Sequence, residues 1–131
     1  MQIPVNAIET KKYFTWIGED GICRTVVKPQ AEITLEDAIE NTEAVDTFYN
    51  GRKFPLLIDS RPIKSMTREA RKHFSTNDRV SHVNSFGIIV NSSISRVVGN
   101  FFIGMNKTPI PAKLFDSEEK AIEWLKTYLI T

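Results

Sequence analysis

Two short apolar runs, Phe54–Asp59 and Phe86–Val90, constrain the fold of this chain most strongly. Neither run alternates with polar residues, a pattern typical of strands that are covered on both faces in a parallel sheet. A helical pattern follows each run: one from about Thr67 to Ser75, and one after Asn91–Ser93, whose side chains can cap a helix. Alternating buried strands and helices predict an α/β sheet with a parallel portion and right-handed crossovers.

The segments at either end complete the predicted architecture. Tyr13–Ile17 and Ile22–Val27 are rich in aromatic and β-branched residues around the turn-forming stretch Gly18–Gly21, which predicts an antiparallel hairpin. A short strand is expected at Pro111–Phe115, and a last helix begins at Asp116–Glu119. The expected order is β-β-α-β-α-β-α-β-α, a mixed sheet with about five strands and four helices. The last helix is expected to bury Ala121, Ile122, Leu125 and Leu129.

Two of the predicted helices have distinctive faces. The first begins at Thr34 with Asp37 as an approximate capping box and ends at Asn50-Gly51. Its apolar positions are Leu35, Ala38, Ile39, Thr42, Val45, Phe48 and Tyr49. Its outer face is expected to be acidic, with Glu36, Asp37, Glu40, Glu43 and Asp46. The apolar positions of the third helix are Ile94, Val97, Val98, Phe101, Phe102 and Met105.

Composition limits the class of protein. The 131 residues fit one domain over residues 1–131, and a net charge of +1 disfavours nucleic-acid binding. The single cysteine, Cys23, rules out an intrachain disulfide and favours a reducing compartment. Residues 1–9 have no signal-peptide pattern, and no apolar run approaches the ~20 residues that span a bilayer. We therefore expect a cytoplasmic protein without a transmembrane segment.

The motifs of common enzymes are absent from the sequence. It contains no phosphate-binding glycine loop, no nucleophile elbow and no H-E-x-x-H motif. His73 and His82 are near one predicted helix with only Asp78 between them, so no metal site and no cofactor are expected. Asp59 ends a buried strand, where α/β proteins often place functional carboxylates. A role in capping the following loop is the favoured interpretation of Asp59.

One basic segment, Ser60–Val80, is the strongest candidate for a binding surface. Six basic and two acidic residues give it a local net charge of +4. Arg68, Arg71 and Lys72 share one predicted helix face, which would suit an anion or an acidic protein surface. A solvated helix face is the alternative, and pairing with the acidic first helix of a second copy would give a homodimer. The candidate contact residues are Asp59, Arg61, Lys64, Arg68, Arg71 and Lys72.

The strand, basic loop and helix over Leu56–Arg71 resemble the corresponding elements of STAS (SpoIIAA-like) domains. The closing stretch Phe115–Leu125 is similar to the STAS/SEC14-like group of small bacterial proteins, and the resemblance covers about residues 12–129. It implies a SpoIIAA-like fold and a helix start at residues 65–68. It also implies that Thr67, or Ser65, accepts phosphate from a partner kinase. Both hydroxyls would otherwise serve as helix N-caps.

The SEC14-like side of the resemblance implies a pocket for an apolar ligand instead. Phe101, Phe102 and Met105 of the third helix would line it, although such residues at helical spacing are more often plain core. The leading expectation is a non-enzymatic regulatory module that binds a protein partner, a kinase or another regulator. A small carrier or sensor of an apolar, lipid-like ligand is the alternative, and an enzyme ranks last.

Overall fold

In the computed structural model, residues 1–74, 82–97, 99 and 110–129 are described, and their strands form one large sheet and one small one. The strands are β1 Ile8–Glu9, β2 Tyr13–Ile17, β3 Cys23–Val27, β4 Glu32–Ile33, β5 Phe54–Asp59, β6 Ser65–Met66, β7 Val83–Ile89 and β8 Ala112–Phe115. The helices are α1 Leu35–Asp46, α2 Arg68–Phe74 and α4 Glu118–Lys126, with α3 described over residues 93–97.

The main sheet is mixed, as the apolar runs and the hairpin predict. Its strand order is β1-β2-β3-β5-β7-β8. The pairs β1–β2 and β2–β3 are antiparallel, while β3–β5, β5–β7 and β7–β8 are parallel. The sixth strand, β1, was not predicted because it has only two residues. The α/β fold with a leading hairpin followed by β/α repeats is confirmed.

The position of β5 in the centre of the sheet explains why its sequence is almost entirely apolar. Leu56 packs with Val45 of α1 on one face of the sheet, while Leu57 packs with Leu125 of α4 on the opposite face. Leu57 and Leu125 are fully buried. Helices therefore cover both sides of the parallel strands, and α1 and α2 share one side.

Helix α1 begins as predicted but presents a different side to the sheet. Thr34 and Asp37 form both hydrogen bonds of a capping box, so Asp37 is buried instead of lying on the acidic outer face. The helix ends at Asp46, one turn before the predicted Asn50-Gly51. Leu35 and Ile39, expected in the core, are each 39% exposed. Their stripe of the helix is rotated away from the sheet, because α1 packs through Ala38, Asn41, Ala44 and Val45.

The described part of α3 also differs from its predicted pattern. Ile94 and Val97 are exposed, while Ser95 is fully buried and its hydroxyl accepts the N–H groups of Asn91 and Ser92. Helix α4 begins after the cap Ser117 and buries Ala121 and Leu125 completely, as predicted, whereas Ile122 and Leu129, which were also predicted to be buried, are half-buried. Four predicted apolar residues of α3 lie outside the described residues: Val98, Phe101, Phe102 and Met105.

Candidate functional site

The loop after β5 is held by its own first residues. The buried carboxylate of Asp59 accepts hydrogen bonds from Arg61 Nε at 2.9 Å and Arg61 Nη2 at 2.7 Å. The Arg61 backbone N–H donates to the same carboxylate at 3.1 Å. The hydrogen bond to Asp59 raises the pKa of Arg61 above its ordinary value. Asp59 and Arg61 therefore form a fixed pair that shapes the loop.

The next turn of the loop is tied to the neighbouring strand and to the segment before α1. Ser60 Oγ donates to the Ile89 carbonyl at 2.8 Å. The N–H groups of Lys64 and Ser65 donate to the carbonyl of Ala31 at 2.9 and 3.3 Å. Residues 65–66 then pair with Glu32–Ile33 as a two-stranded parallel sheet. The loop is thus anchored at both ends.

Helix α2 begins at Arg68, and the residue that caps its start is Thr67 and not Ser65. Thr67 Oγ1 accepts the N–H of Ala70 at 3.2 Å, and the Thr67 carbonyl accepts the N–H of Arg71 at 3.1 Å. Ser65 belongs to β6, where strand pairing fixes an extended backbone, so the prediction of Ser65 as an N-cap is wrong. Both hydroxyl-bearing residues are exposed at the surface.

The basic residues of this segment divide into two groups. Lys64, Arg68 and Lys72 are exposed, whereas Arg71 is half-buried and lines a cavity beneath the helix. Residues three apart on a helix are separated by about 300° of rotation, so Arg71 and Phe74 both reach the cavity side. The prediction that Arg68, Arg71 and Lys72 share one solvent face is therefore wrong for Arg71. We call Lys64, Arg68 and Lys72 the basic surface.

The cavity lies between the sheet and the helices α1 and α2, and has a volume of about 80 Å³. Its walls are mostly apolar. Residues of the main sheet on its walls include Val27, Leu56, Ile58, Phe86 and Ile88. The loop after β5 contributes Ile63, β6 contributes Met66 and α2 contributes Phe74. The three residues predicted to line a pocket, Phe101, Phe102 and Met105, lie outside the described residues, so the cavity is defined here by other side chains.

A buried polar network borders the cavity. Thr15 Oγ1 donates to Asn41 Oδ1 at 2.8 Å and lies 2.9 Å from Thr25 Oγ1. Thr25 and Asn41 also line the cavity. This network was not predicted from the sequence, because Asn41 can be recognised as buried only when the sheet-facing side of α1 and the hydrogen-bond partners of its amide are known.

The two histidines bind α1 at different places. His73 Nε2 lies 2.9 Å from Thr42 Oγ1. His82 Nδ1 lies 2.9 Å from Asp46 Oδ1, and its ring stacks on Tyr49 at a centroid distance of 4.0 Å. Within residues 1–74, 82–97 and 110–129, no three His, Cys, Asp or Glu side chains are grouped to hold a metal ion.

The parallel-centred sheet, with helices on both faces and a leading hairpin, is a SpoIIAA-like fold. A similar solved structure is an uncharacterized protein of the DUF3478 family with a SpoIIAA-like fold from Shewanella loihica PV-4. The two chains are 18% identical with a TM-score of 0.62, covering 90% of this chain and 98% of the other. The chain itself belongs to the DUF7793 family, a domain of unknown function, whose model matches residues 15–129.

A second solved structure matches most of the chain in length. A protein of unknown function from Arthrobacter sp. FB24 is 29% identical over 90% of this chain and 95% of its own, with a TM-score of 0.35. No curated protein matches this chain significantly. In the described part of the chain, no helix has the length and apolar character needed to cross a bilayer.

Proposed function

We propose that this chain is a non-enzymatic regulatory module that binds an acidic surface of a protein partner, a signalling kinase or another regulator. One observation carries the proposal: the basic surface, Lys64, Arg68 and Lys72, is exposed on a segment whose opposite side is fixed to the core. Ala70 is fully buried and packs with Ile63 in that core. The SpoIIAA-like fold is consistent with such a role.

The anchoring of this segment favours binding over a purely solvated surface. The Asp59–Arg61 pair and the β4–β6 pairing hold the loop in place before a partner arrives. A preorganised surface loses less conformational entropy on binding. Clustered positive charge also accelerates encounter with an acidic surface and selects against basic partners.

The exposed hydroxyl of Thr67 is the proposed control point of this surface. It lies at the start of α2, next to Arg68. A phosphate there would add about −1.5 to −2 charges and reduce the attraction for an acidic partner. Ser65, exposed in β6, is the second proposed acceptor.

The first experiment reverses the charge of the basic surface. The wild-type chain and the variant R68E/K72E are used as baits in lysate of the source organism, and captured proteins are quantified by mass spectrometry. We expect at least one protein to be lost tenfold or more with the variant, which corresponds to about 1.4 kcal/mol. The matched control is R52E/K53E, which reverses one Arg and one Lys in the exposed turn before β5. Equal capture by all three chains would refute the proposal.

The second experiment tests the control point. Aspartate can cap a helix as threonine does, so Thr67→Asp keeps the start of α2 and adds a negative charge. We expect Thr67→Asp to weaken capture of the same protein, while Thr67→Ser leaves it unchanged. If Thr67→Asp bound as well as Thr67→Ser, phosphate at this position would have no regulatory effect.

The cavity supports a second function, binding of a small apolar ligand. Its walls are apolar and lie beneath α2, whose outer side bears the basic surface. Native mass spectrometry of the purified chain would reveal a bound mass, and Val45→Phe, which fills the cavity, should remove it. Ile122→Val, a conservative change on α4 outside the cavity, is the control. No added mass on the wild-type chain would eliminate this function.

A further inference from the structure

Two apolar side chains lie exposed in the groove between α1 and α2. Leu35 and Ile39 are one helical turn apart, and each is 39% exposed. With Thr42 they form one stripe of α1, at positions i, i+4 and i+7. The contact of Thr42 Oγ1 with His73 Nε2, at 2.9 Å, shows that this stripe faces α2. We call this region the α1–α2 groove.

Opposite charges border the two sides of the groove. On α1, the exposed residues Glu36, Glu40 and Glu43 form an acidic row at positions i, i+4 and i+7. On α2, the exposed residues Arg68 and Lys72 form a basic row at positions i and i+4, and one exposed acidic residue, Glu69, lies between this row and His73. One surface therefore carries an apolar centre, an acidic border and a basic border.

We propose that the α1–α2 groove binds a second copy of this chain. A two-fold axis through the groove places the acidic row of each copy against the basic row of the other, so each contact occurs twice. Leu35 and Ile39 of both copies then meet at the centre and are removed from water. A second copy fits better than an unrelated partner because this single surface supplies both members of each charge pair.

This self-association also regulates the proposed function. The dimer covers Arg68 and Lys72, which belong to the basic surface, so the dimer and the partner complex exclude one another. The dimer itself does not depend on the proposed function. Only this competition rests on it.

Complementary charge reversals test the arrangement by sedimentation equilibrium. Variant R68E/K72E makes both rows acidic, and variant E36R/E43R makes the α1 row net basic, with Glu40 left in place, so that both rows are then positive. We expect the wild-type chain to show twice the 14.9 kDa mass of one chain, and each variant alone to show a single mass. An equimolar mixture of the two variants should regain the doubled mass, because both contacts are then between opposite charges. R52E/K53E, away from the groove, should remain dimeric.

Each contrary result overturns the proposal. A monomeric wild-type chain would refute self-association, and two variants that stay dimeric would refute the interface. A mixture that stays monomeric would refute the two-fold pairing, provided that circular dichroism shows both variants folded. Partner capture separates the two proposals: E36R/E43R retains the basic surface and should still capture the partner, whereas R68E/K72E should not.

Discussion

At the scale of single residues, burial raises the pKa of two weakly acidic side chains, the Cys23 thiol and the Tyr13 phenol. Cys23, a free thiol in β3, is fully buried, and desolvation raises its pKa to about 12. Burial also raises the pKa of Tyr13 well above its ordinary value, with a further contribution from the charge of Asp37. Both groups are therefore neutral in the folded chain near pH 7. The apolar neighbours of Cys23 in the sequence, Ile22 and Val26–Val27, are typical of a strand in which a cysteine is a buried, inert thiol.

The raised pKa of Cys23 predicts a loss of stability in alkaline solution. Well below pH 9.0, the ordinary pKa of the thiol, Cys23 is protonated in both the folded and the unfolded chain. Between pH 9.0 and about 12 only the unfolded chain releases the proton. The free energy of unfolding therefore decreases as the pH rises, by up to about 1.4 kcal/mol per pH unit. Urea unfolding measured from pH 8 upward checks this.

The matched variants separate the two buried groups. Cys23→Ala should make the free energy of unfolding fall less steeply with pH, and Tyr13→Phe should have the same effect at higher pH. A Cys23→Ala chain with the wild-type slope would show that the thiol ionises equally in both states.

At the scale of elements, the sequence predicted the strands well and the orientation of α1 poorly. β5 was predicted with its observed bounds because its apolar run, which ends at Asp59, is buried only when helices cover both faces of the strand. The side of α1 that packs on the sheet was harder to predict, since Leu35 and Ile39 fit a helical apolar stripe as well as Ala38 and Val45 do. Buried Asn41 and Asp37 carry the missing information, but a polar residue looks exposed until its hydrogen-bond partners are known.

The network that joins α1 to β2 and β3 should be sensitive to partial removal. Asn41→Ala leaves the buried hydroxyls of Thr15 and Thr25 without their amide partner, so we expect a loss of about 1–3 kcal/mol in urea unfolding. Glu43→Ala, on the exposed side of α1, is the control and should change the free energy by less than about 0.5 kcal/mol.

A triple variant tests the same network in another way. Replacing all three members, as in T15V/T25V/N41L, removes the polar groups together and should cost less than the sum of the single changes. Additive losses would show that the three side chains do not act as a network.

At the scale of the whole molecule, the topology followed from the sequence, while the site followed from it only in part. Alternation of buried strands and helices predicted the mixed sheet. The basic segment was found from charge alone, but its division into a basic surface and a cavity-lining Arg71 depends on how α2 is rotated. The two residues before Thr67, Ser65 and Met66, pair with β4 and fix the segment from which α2 starts. Two-residue strands have too little sequence pattern to predict.

Stability of the whole molecule should depend most on the central strand. Leu57→Ala removes a fully buried side chain that packs with Ile22, Ile89 and Leu125, and should cost about 2–5 kcal/mol. Val97→Ala, at a side chain that is 61% exposed, should change the free energy of unfolding by less than about 0.5 kcal/mol. Thermal and urea unfolding measure both. Equal losses for the two variants would contradict the central position of β5.

The turn between α1 and β5 is suited to inserted sequence, whereas the loop after β5 is not. Gly51 has a φ of +101°, and no atom lies within 4 Å of the position that its Cβ would occupy. Exposed polar turns of this kind accept inserted sequence, because few contacts are lost. A fluorescent reporter or a purification tag placed there would leave the anchored loop intact. A graft between Ser60 and Thr67 would instead break the bonds that join the starts of both helices.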